Sequence, residues 1–283
     1  MKTAGSDALV QQVIERFGDT PDPRLREVLG SLVRHLHGFI RETRLTEEEW
    51  MKGIEFLTAV GQKCDDRRQE FILLSDVLGA SMQVVTVQSD RAPGCTESTV
   101  FGPFHVEGAP RVANGGDVAN GARGTPCVVR GSVRNADGKQ IAGATVDVWQ
   151  SDDDGLYDVQ RPELQAAQGR GVLTTDAQGA FWFHSVLPVP YPIPTDGPVG
   201  GLLRATFRSP MRPAHLHFRI QAPGHTTLIT HVFRTGDPHL DSDPVFGVRP
   251  SLVADWPATR DGQHELQFDF VLHRIASSST SPA

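Results

Sequence analysis

The spacing of apolar residues changes once along the chain, and that change dictates a helical segment followed by a β-rich one. Up to about Asp90 the spacing is helical. Asp22-Pro23 provides an N-cap and a proline for the first turn, after which Leu25, Val28, Leu29, Leu32, Leu36, Phe39 and Ile40 recur on one helical face. Thr46-Glu47-Glu48-Glu49 has the form of a capping box and opens a second helix carrying Trp50, Ile54, Leu57 and Val60. A third helix is predicted from near Asp66. Phe71, Ile72, Leu73, Leu74, Val77 and Leu78 make it apolar nearly all round, so burial is expected in the core, between the two halves or in a subunit contact. A short helix is expected over residues 7 to 17.

Beyond Arg91-Ala92-Pro93-Gly94 the pattern is that of short strands and turns. Residues 127–133 and 144–149 flank the turn signal Asn135-Ala136-Asp137-Gly138 and read as paired strands. Further strands are expected at 171–175, 181–185, 216–220, 228–233 and 266–272, with a turn at 176–179. Residues 106–125, rich in Gly, Ala and Asn, read as a long surface loop, and the Ser-rich end at 276–283 as a disordered tail. The expected fold is α+β: a helical domain over 1–98, then a mostly antiparallel β-sandwich over 99–275.

Bulk properties exclude several classes. The net charge of −7 argues against nucleic-acid binding. No apolar run approaches the length of a membrane span, and the N-terminus has no hydrophobic stretch of the secretory kind. Cys64, Cys95 and Cys127 are odd in number, scattered and without metal-ligand spacing, which fits reduced thiols in a cytoplasm.

The chain has only two tyrosines, and both fall among turn-forming residues: Tyr157 after Asp152-Asp153-Asp154-Gly155, Tyr191 within Pro188-Val189-Pro190-Tyr191-Pro192-Ile193-Pro194. His215 and His217 are two apart in a strand-like stretch, so both imidazoles project from one face and Leu216 and Phe218 from the other. Two phenols and two imidazoles make a ligand set for a hard trivalent ion, which can remove phenolic protons that otherwise have a pKa near 10. The rival reading is an ordinary turn tyrosine, an exposed ring on an extended proline-rich segment, and surface histidines. A two-histidine, one-carboxylate site drawing on Asp152, Asp153, Asp154 or Asp158 is a further possibility, against which stands an acidic turn that is simply solvated.

These segments carry a resemblance. Phe101-Gly102-Pro103-Phe104, Val148 to Tyr157, the loop around Tyr191, and Arg212-Pro213-Ala214-His215-Leu216-His217 resemble the intradiol ring-cleaving dioxygenases over nearly the whole chain. Within that family, residues 70–79, Thr230-His231-Val232-Phe233 and 237–248 are most similar to the hydroxyquinol-cleaving branch, with His231 standing where catechol-cleaving relatives usually have Gln.

The resemblance implies one Fe(III) per subunit held by Tyr157, Tyr191, His215 and His217, with water or hydroxide completing the set. It implies that O2 opens an aromatic diol or triol between its hydroxyl-bearing carbons, hydroxyquinol giving 3-hydroxy-cis,cis-muconate, the enol form of maleylacetate. Catechol and chlorocatechol are the alternative substrates, and a sandwich binding module without chemistry, or a zinc hydrolase using the two histidines, are the alternatives of another class. Tyr191 would take a substrate proton and Arg212 would stabilise charge on the ring. Leu73, Asp76, Val100, Phe101, Gly102, Ile193, Pro194, Arg212, His231 and Val245 fall at substrate-lining positions. Asp76 is suited to accept a hydrogen bond from a third hydroxyl, or else to partner a neighbour within its helix. His231 reads equally as a site wall or as a core histidine. A homodimer joined through the N-terminal helices, with room for a phospholipid in an apolar tunnel, is implied as well.

Overall fold

The computed structural model describes residues 4–65, 68–89 and 93–275. The chain divides into two compact units, Met1–Ala59 and Val60–Ala283. The first contains α1 (Ala4–Glu15), α2 (Pro23–Thr43) and most of α3 (Glu47–Gln62). α1 begins and ends earlier than the sequence suggested. α2 starts where Asp22 Oδ1 accepts hydrogen bonds from the Arg24 and Leu25 amides, and ends at Arg44 in the left-handed region (φ 53°). α3 opens with the predicted reciprocal box: the Thr46 amide donates to Glu49 Oε2 (2.9 Å) and the Glu49 amide to Thr46 Oγ1 (3.2 Å). Leu25, Leu32, Leu36 and Phe39 on α2, and Trp50, Ile54 and Leu57 on α3, are exposed on the single chain.

In the second unit the expected third helix is two: α4 (Glu70–Val77) and α5 (Ala80–Ser89), bent by 69°. Its expected start near Asp66 lies outside the described residues, as does the tail at 276–283. Gly79, at φ 74°, makes the break. So short a helix turns one side inward. Glu70, Leu74, Asp76 and Val77 are buried, whereas Phe71, Ile72 and Leu78 are exposed, against the reading of an all-round core helix. The buried Glu70 carboxylate accepts from Arg68 Nε and from the Val199 amide at the start of α6 (Pro198–Ala205). Among the described residues no single helix is long and apolar enough to cross a membrane; the bent pair α4–α5 passes that test on length and composition alone.

Among the described residues eleven strands follow: β1 (Pro126–Asn135), β2 (Thr145–Trp149), β3 (Arg170–Thr174), β4 (Ala180–Val186), β5 (Tyr191–Pro192), β6 (Met211–Arg212), β7 (His215–Gln221), β8 (Leu228–Arg234), β9 (Val253–Ala254), β10 (His264–Gln267) and β11 (Phe270–Leu272). One sheet sets β1 between β4 on one edge and β10 then β11 on the other. The second has the order β3-β2-β7-β8-β9, and β5 pairs with β6 alone. Pairing is mostly antiparallel, as expected, but β1–β10, β1–β11 and β8–β9 are parallel. The two sheets share one core, in which Val129, Phe181, Phe183 and Phe270 meet Val146, Leu216, Phe218 and Ile220. Each such side chain, fully buried, contributes about 1.5–3 kcal/mol.

Two sequence expectations fail here. β1 and β2 do not form a hairpin. The turn at 135–138 does form, with the Gly138 amide on the Asn135 carbonyl (3.0 Å), but both edges of β1 are taken and the chain crosses to the other sheet. Residues 106–125 are not simply a surface loop either. Arg111 bridges to Val172 and Asp117 to His184, and Val118 is wholly buried in the shared core.

Candidate active site

The site grows out of the β2–β7–β8 ladder. Register sets Trp149 and His231 on either side of His217, and alternation sends His215 and His217 to one face while Leu216 and Phe218 enter the core. The β5–β6 pair places Tyr191 opposite Arg212. Tyr157 arrives from a turn closed by Asp152, whose Oδ1 accepts from the Asp154 amide (3.0 Å) and the Leu156 amide (3.3 Å).

The four donors predicted from the sequence converge. Tyr157 Oη lies 3.1 Å from Tyr191 Oη, which lies 3.3 Å from His215 Nε2; that nitrogen lies 3.1 Å from His217 Nε2, itself 2.9 Å from Tyr157 Oη. Ligands about 2.1 Å from a common centre and at right angles are about 3.0 Å apart, so the closed ring has the dimensions of a first coordination shell. All four residues are buried.

The chemistry of the set fits a strong Lewis acid. His215 Nδ1 lies 2.7 Å from the Pro213 carbonyl, which can only accept, so Nδ1 carries the proton and Nε2 offers a lone pair. Burial, then the nearby Arg212 charge, brings the His215 pKa down to about 3, and burial takes His217 well below the usual imidazole value. Both imidazoles are therefore neutral, as ligands must be. Burial, then Tyr191, pushes the Tyr157 phenol well above its ordinary value, so only a strong cation would ionise it. His231 also brings a ring nitrogen within 4.8 Å of those of His215 and His217; burial drives its pKa far down, and both its nitrogens lack a hydrogen-bond partner among the described residues.

The acidic residues considered as ligands face arginines instead, Asp153 Oδ1 lying 3.6 Å from Arg123 Nη2. Asp152 pairs with Arg161 (2.6 Å), Asp154 with Arg123 and Arg161, and Asp158 with Arg170 (2.7 Å to Nε). Arg212 is buried, its Nε 3.1 Å from Asp243 Oδ1 and its Nη1 3.3 Å from His215 Nε2. Around this centre stand several of the predicted lining residues. A Cβ on Gly102 (φ 77°) would lie 3.1 Å from His217 Cε1, so the backbone passes directly against the imidazole. Phe101 packs edge-on to Trp149 (5.7 Å), the His231 ring is 4.2 Å from that of His217, and Val245 is buried beside Asp243, its amide 3.4 Å from Oδ1. Asp76 is buried within the fields of Arg212 and Asp243, and burial raises its pKa. Ile193 is buried just past Tyr191, Pro194 is half-buried, Val100 is buried, and Leu73 is half-buried one turn before Asp76.

Several neighbours escaped the sequence reading. Trp149 stacks on His217 (4.7 Å, 18°) and Phe104 on Tyr157 (4.4 Å, 24°), fixing both rings from outside. His105 Nε2, 2.7 Å from Asp147 Oδ2, packs against Trp149. Phe104 and Trp149 lie inside segments that drew attention for their pattern, and that proximity in sequence was the available signal. A separate cavity of about 630 Å3, lined by residues such as Thr86, Cys95, Glu97 and Arg249, contains none of the candidate residues.

Comparison with known proteins identifies the family. Residues 100–274 match a family model described as Dioxygenase, and residues 22–96 one described as Catechol dioxygenase N terminus. The chain is 61% identical over 265 residues to 6-chlorohydroxyquinol 1,2-dioxygenase of Cupriavidus pinatubonensis, covering 94% of this chain and 96% of the relative. It is 53% identical to hydroxyquinol 1,2-dioxygenase of Rhodococcus opacus, with 93% and 92% covered. Among solved structures, hydroxyquinol 1,2-dioxygenase from Pseudomonas putida DLL-E4 superposes with a TM-score of 0.90 at 44% identity, covering 96% of this chain and 99% of that one. The chain belongs to the intradiol ring-cleavage dioxygenase family.

Proposed function

We propose that the protein cleaves hydroxyquinol with O2, using one Fe(III) per subunit held by Tyr157, Tyr191, His215 and His217. The observation that carries this reading is the closed ring of two phenol oxygens and two imidazole nitrogens with edges of 2.9–3.3 Å. Non-haem iron is the metal of this family, and two phenolates with two neutral imidazoles would leave a ferric ion one positive charge, suited to a dianionic diol. A ferric ion bound there would supply Lewis acidity toward a diol and a path for electron density out of its ring toward O2.

The protein's own residues do the rest. Tyr191 Oη, next to the diol site and opposite Arg212, takes a substrate proton. The Arg212 guanidinium faces negative charge that develops on the ring and holds it in place. Gly102 lets the substrate-side backbone pass against His217, while Phe101, Val100, Ile193, Pro194, Leu73 and Val245 form apolar walls. Asp76 accepts a hydrogen bond from the third hydroxyl, which separates a triol from catechol. His231, buried with both nitrogens unpartnered, offers a polar contact to bound substrate or O2. A second substrate is favoured by the 61% identical relative: 6-chlorohydroxyquinol, which keeps all three hydroxyls.

Residues 1–98 act as a helical dimerisation region and 99–275 as the catalytic domain, and the exposed apolar faces of α2 and α3 support a homodimer that holds a phospholipid. The three free cysteines support a cytoplasmic setting.

The test is direct. Purified protein should contain iron and absorb in the visible through phenolate-to-iron charge transfer. It should turn over hydroxyquinol faster than catechol or chlorocatechol and release a ring-opened diacid. A colourless protein loaded with iron would refute the ligand set, and faster turnover of catechol would refute the substrate.

A further inference from the structure

We propose that Asp243 is the positioning residue for Arg212: it grips one edge of the guanidinium so that Nη1 alone points into the reaction site. The inference rests on the role given to Arg212 above.

The arrangement is over-determined in a way that fixes direction. Arg212 Nε lies 3.1 Å from Asp243 Oδ1 and Nη2 lies 3.5 Å from Oδ2, while Nη1 is turned away, 3.3 Å from His215 Nε2. The carboxylate cannot rotate to follow the arginine. Its Oδ2 also accepts the Gly247 amide (2.9 Å) and its Oδ1 the Val245 amide (3.4 Å), so both oxygens are tied into the turn 243–247. A Cβ on Gly247 would stand 3.1 Å from Asp243 Oδ2 and 3.3 Å from Arg212 Nη2, leaving the pair no slack on that side. The turn is held in its turn by Arg208, whose Nη2 donates to the Pro244 carbonyl (3.0 Å) and whose Nη1 donates to the Val77 carbonyl (2.6 Å), next to Asp76.

A merely stabilising role accounts poorly for this. The side chains of Arg212 and Asp243 are 4% and 2% exposed, and a buried ion pair gives little stability over an apolar pair of similar volume. What a forked hold on one edge does provide is orientation of the remaining nitrogen. Arg212 follows β5–β6 register to the site, but without Asp243 its flexible stem has no reason to keep Nη1 aimed there.

The experiment is a double-mutant cycle on the iron-loaded enzyme, using Asp243→Asn, Arg212→Ala and both together, with hydroxyquinol turnover expressed per bound iron. Asn keeps the volume and one acceptor while removing the charge. Asp243→Asn should lower kcat by about 10- to 100-fold, the cost of misplacing a reacting group by about 1 Å, with KM changed by no more than about twofold. The double variant should then lose less than the product of the two single losses, approaching Arg212→Ala alone. Wild-type kcat in Asp243→Asn, or losses that multiply in the double variant, would overturn the proposal. If Asp243→Asn does not fold, Asp243→Glu takes its place in the cycle with the same expectation, since the longer carboxylate shifts the grip without losing the charge. An iron-free or inert wild type would instead sink the reading of the site. An active, iron-loaded wild type with multiplying losses sinks only the role of Asp243.

Discussion

Gly155→Ala isolates how far the placement of Tyr191 depends on a residue that donates nothing to the site. Gly155 has φ 76°, where an L side chain costs about 1–2 kcal/mol. Its new Cβ would stand 2.8 Å from Tyr191 Cβ and 3.6 Å from the Pro190 carbonyl oxygen, an overpacking that adds about 1–3 kcal/mol. The turn has little freedom to yield: the Asp152 amide donates to the Leu156 carbonyl (2.9 Å), and Arg161 holds the Asp152 carboxylate at 2.6 Å. The strain therefore falls on Tyr191. A total of about 2–5 kcal/mol corresponds to a Tm lower by about 10 °C, at about 2–4 °C per kcal/mol for a unit of this size. In the iron-loaded protein the visible charge-transfer band should move as well, because Tyr191 Oη shifts relative to Tyr157 and His215. Gly138→Ala is the control, with φ 82° and nothing within 4 Å of the added carbon. It should show the backbone cost alone and an unaltered spectrum. Wild-type Tm and spectrum in Gly155→Ala would refute the reasoning.

Three other outcomes are expected. Tyr157→Phe should weaken iron retention by at least about 10- to 100-fold, seen as iron lost on dialysis against a chelator, and should change the colour; full retention with the same spectrum would contradict ligation. Asp76→Asn should lower the ratio of kcat/KM for hydroxyquinol over catechol about tenfold, the difference between a charged and a neutral acceptor; an unchanged ratio would remove Asp76 from substrate choice. Acid should destabilise the iron-depleted protein. Burial keeps His215, His217 and His231 neutral when folded, His215 down to about 3, whereas the unfolded chain takes up protons below about pH 6.5. Their stability is therefore complete above that value and is lost as pH falls toward 3, by up to about 1.4 kcal/mol per pH unit for each imidazole. Urea unfolding that gives equal stability at about pH 7 and about pH 4.5 would contradict this.

Local signals were legible where local physics decides. The Asp22 cap, the Thr46–Glu49 box and the alternation of His215 and His217 against Leu216 and Phe218 all depend on near neighbours, and all appear as expected. The convergence of Tyr157 and Tyr191 on the histidines could be suggested by the donor chemistry but not fixed by spacing, because loops and a two-residue ladder bring them there; the resemblance chose it over the rival readings. The errors share a cause. The 135–138 turn looked like a hairpin because its residues suit one, yet distant strands already occupy both edges of β1. The third helix looked continuous because Gly79 within an apolar run gives only a weak local signal, and the left-handed break there is made by the surrounding fold. Asp243 was read only as part of the segment 237–248, because its partner Arg212 lies thirty-one residues away.

The parallel partners of β1 have a consequence for biosynthesis. Cys127 to Arg130 align with His264 to Gln267, and Val133 to Asn135 with Phe270 to Leu272, so one flank of β1 waits until residues 264–272 have been translated. Until then the nascent chain carries an open, apolar ribbon edge, the kind of surface that chaperones bind and that aggregates recruit. A stop codon before His264 would leave that edge permanently bare while sparing every residue of the proposed iron site.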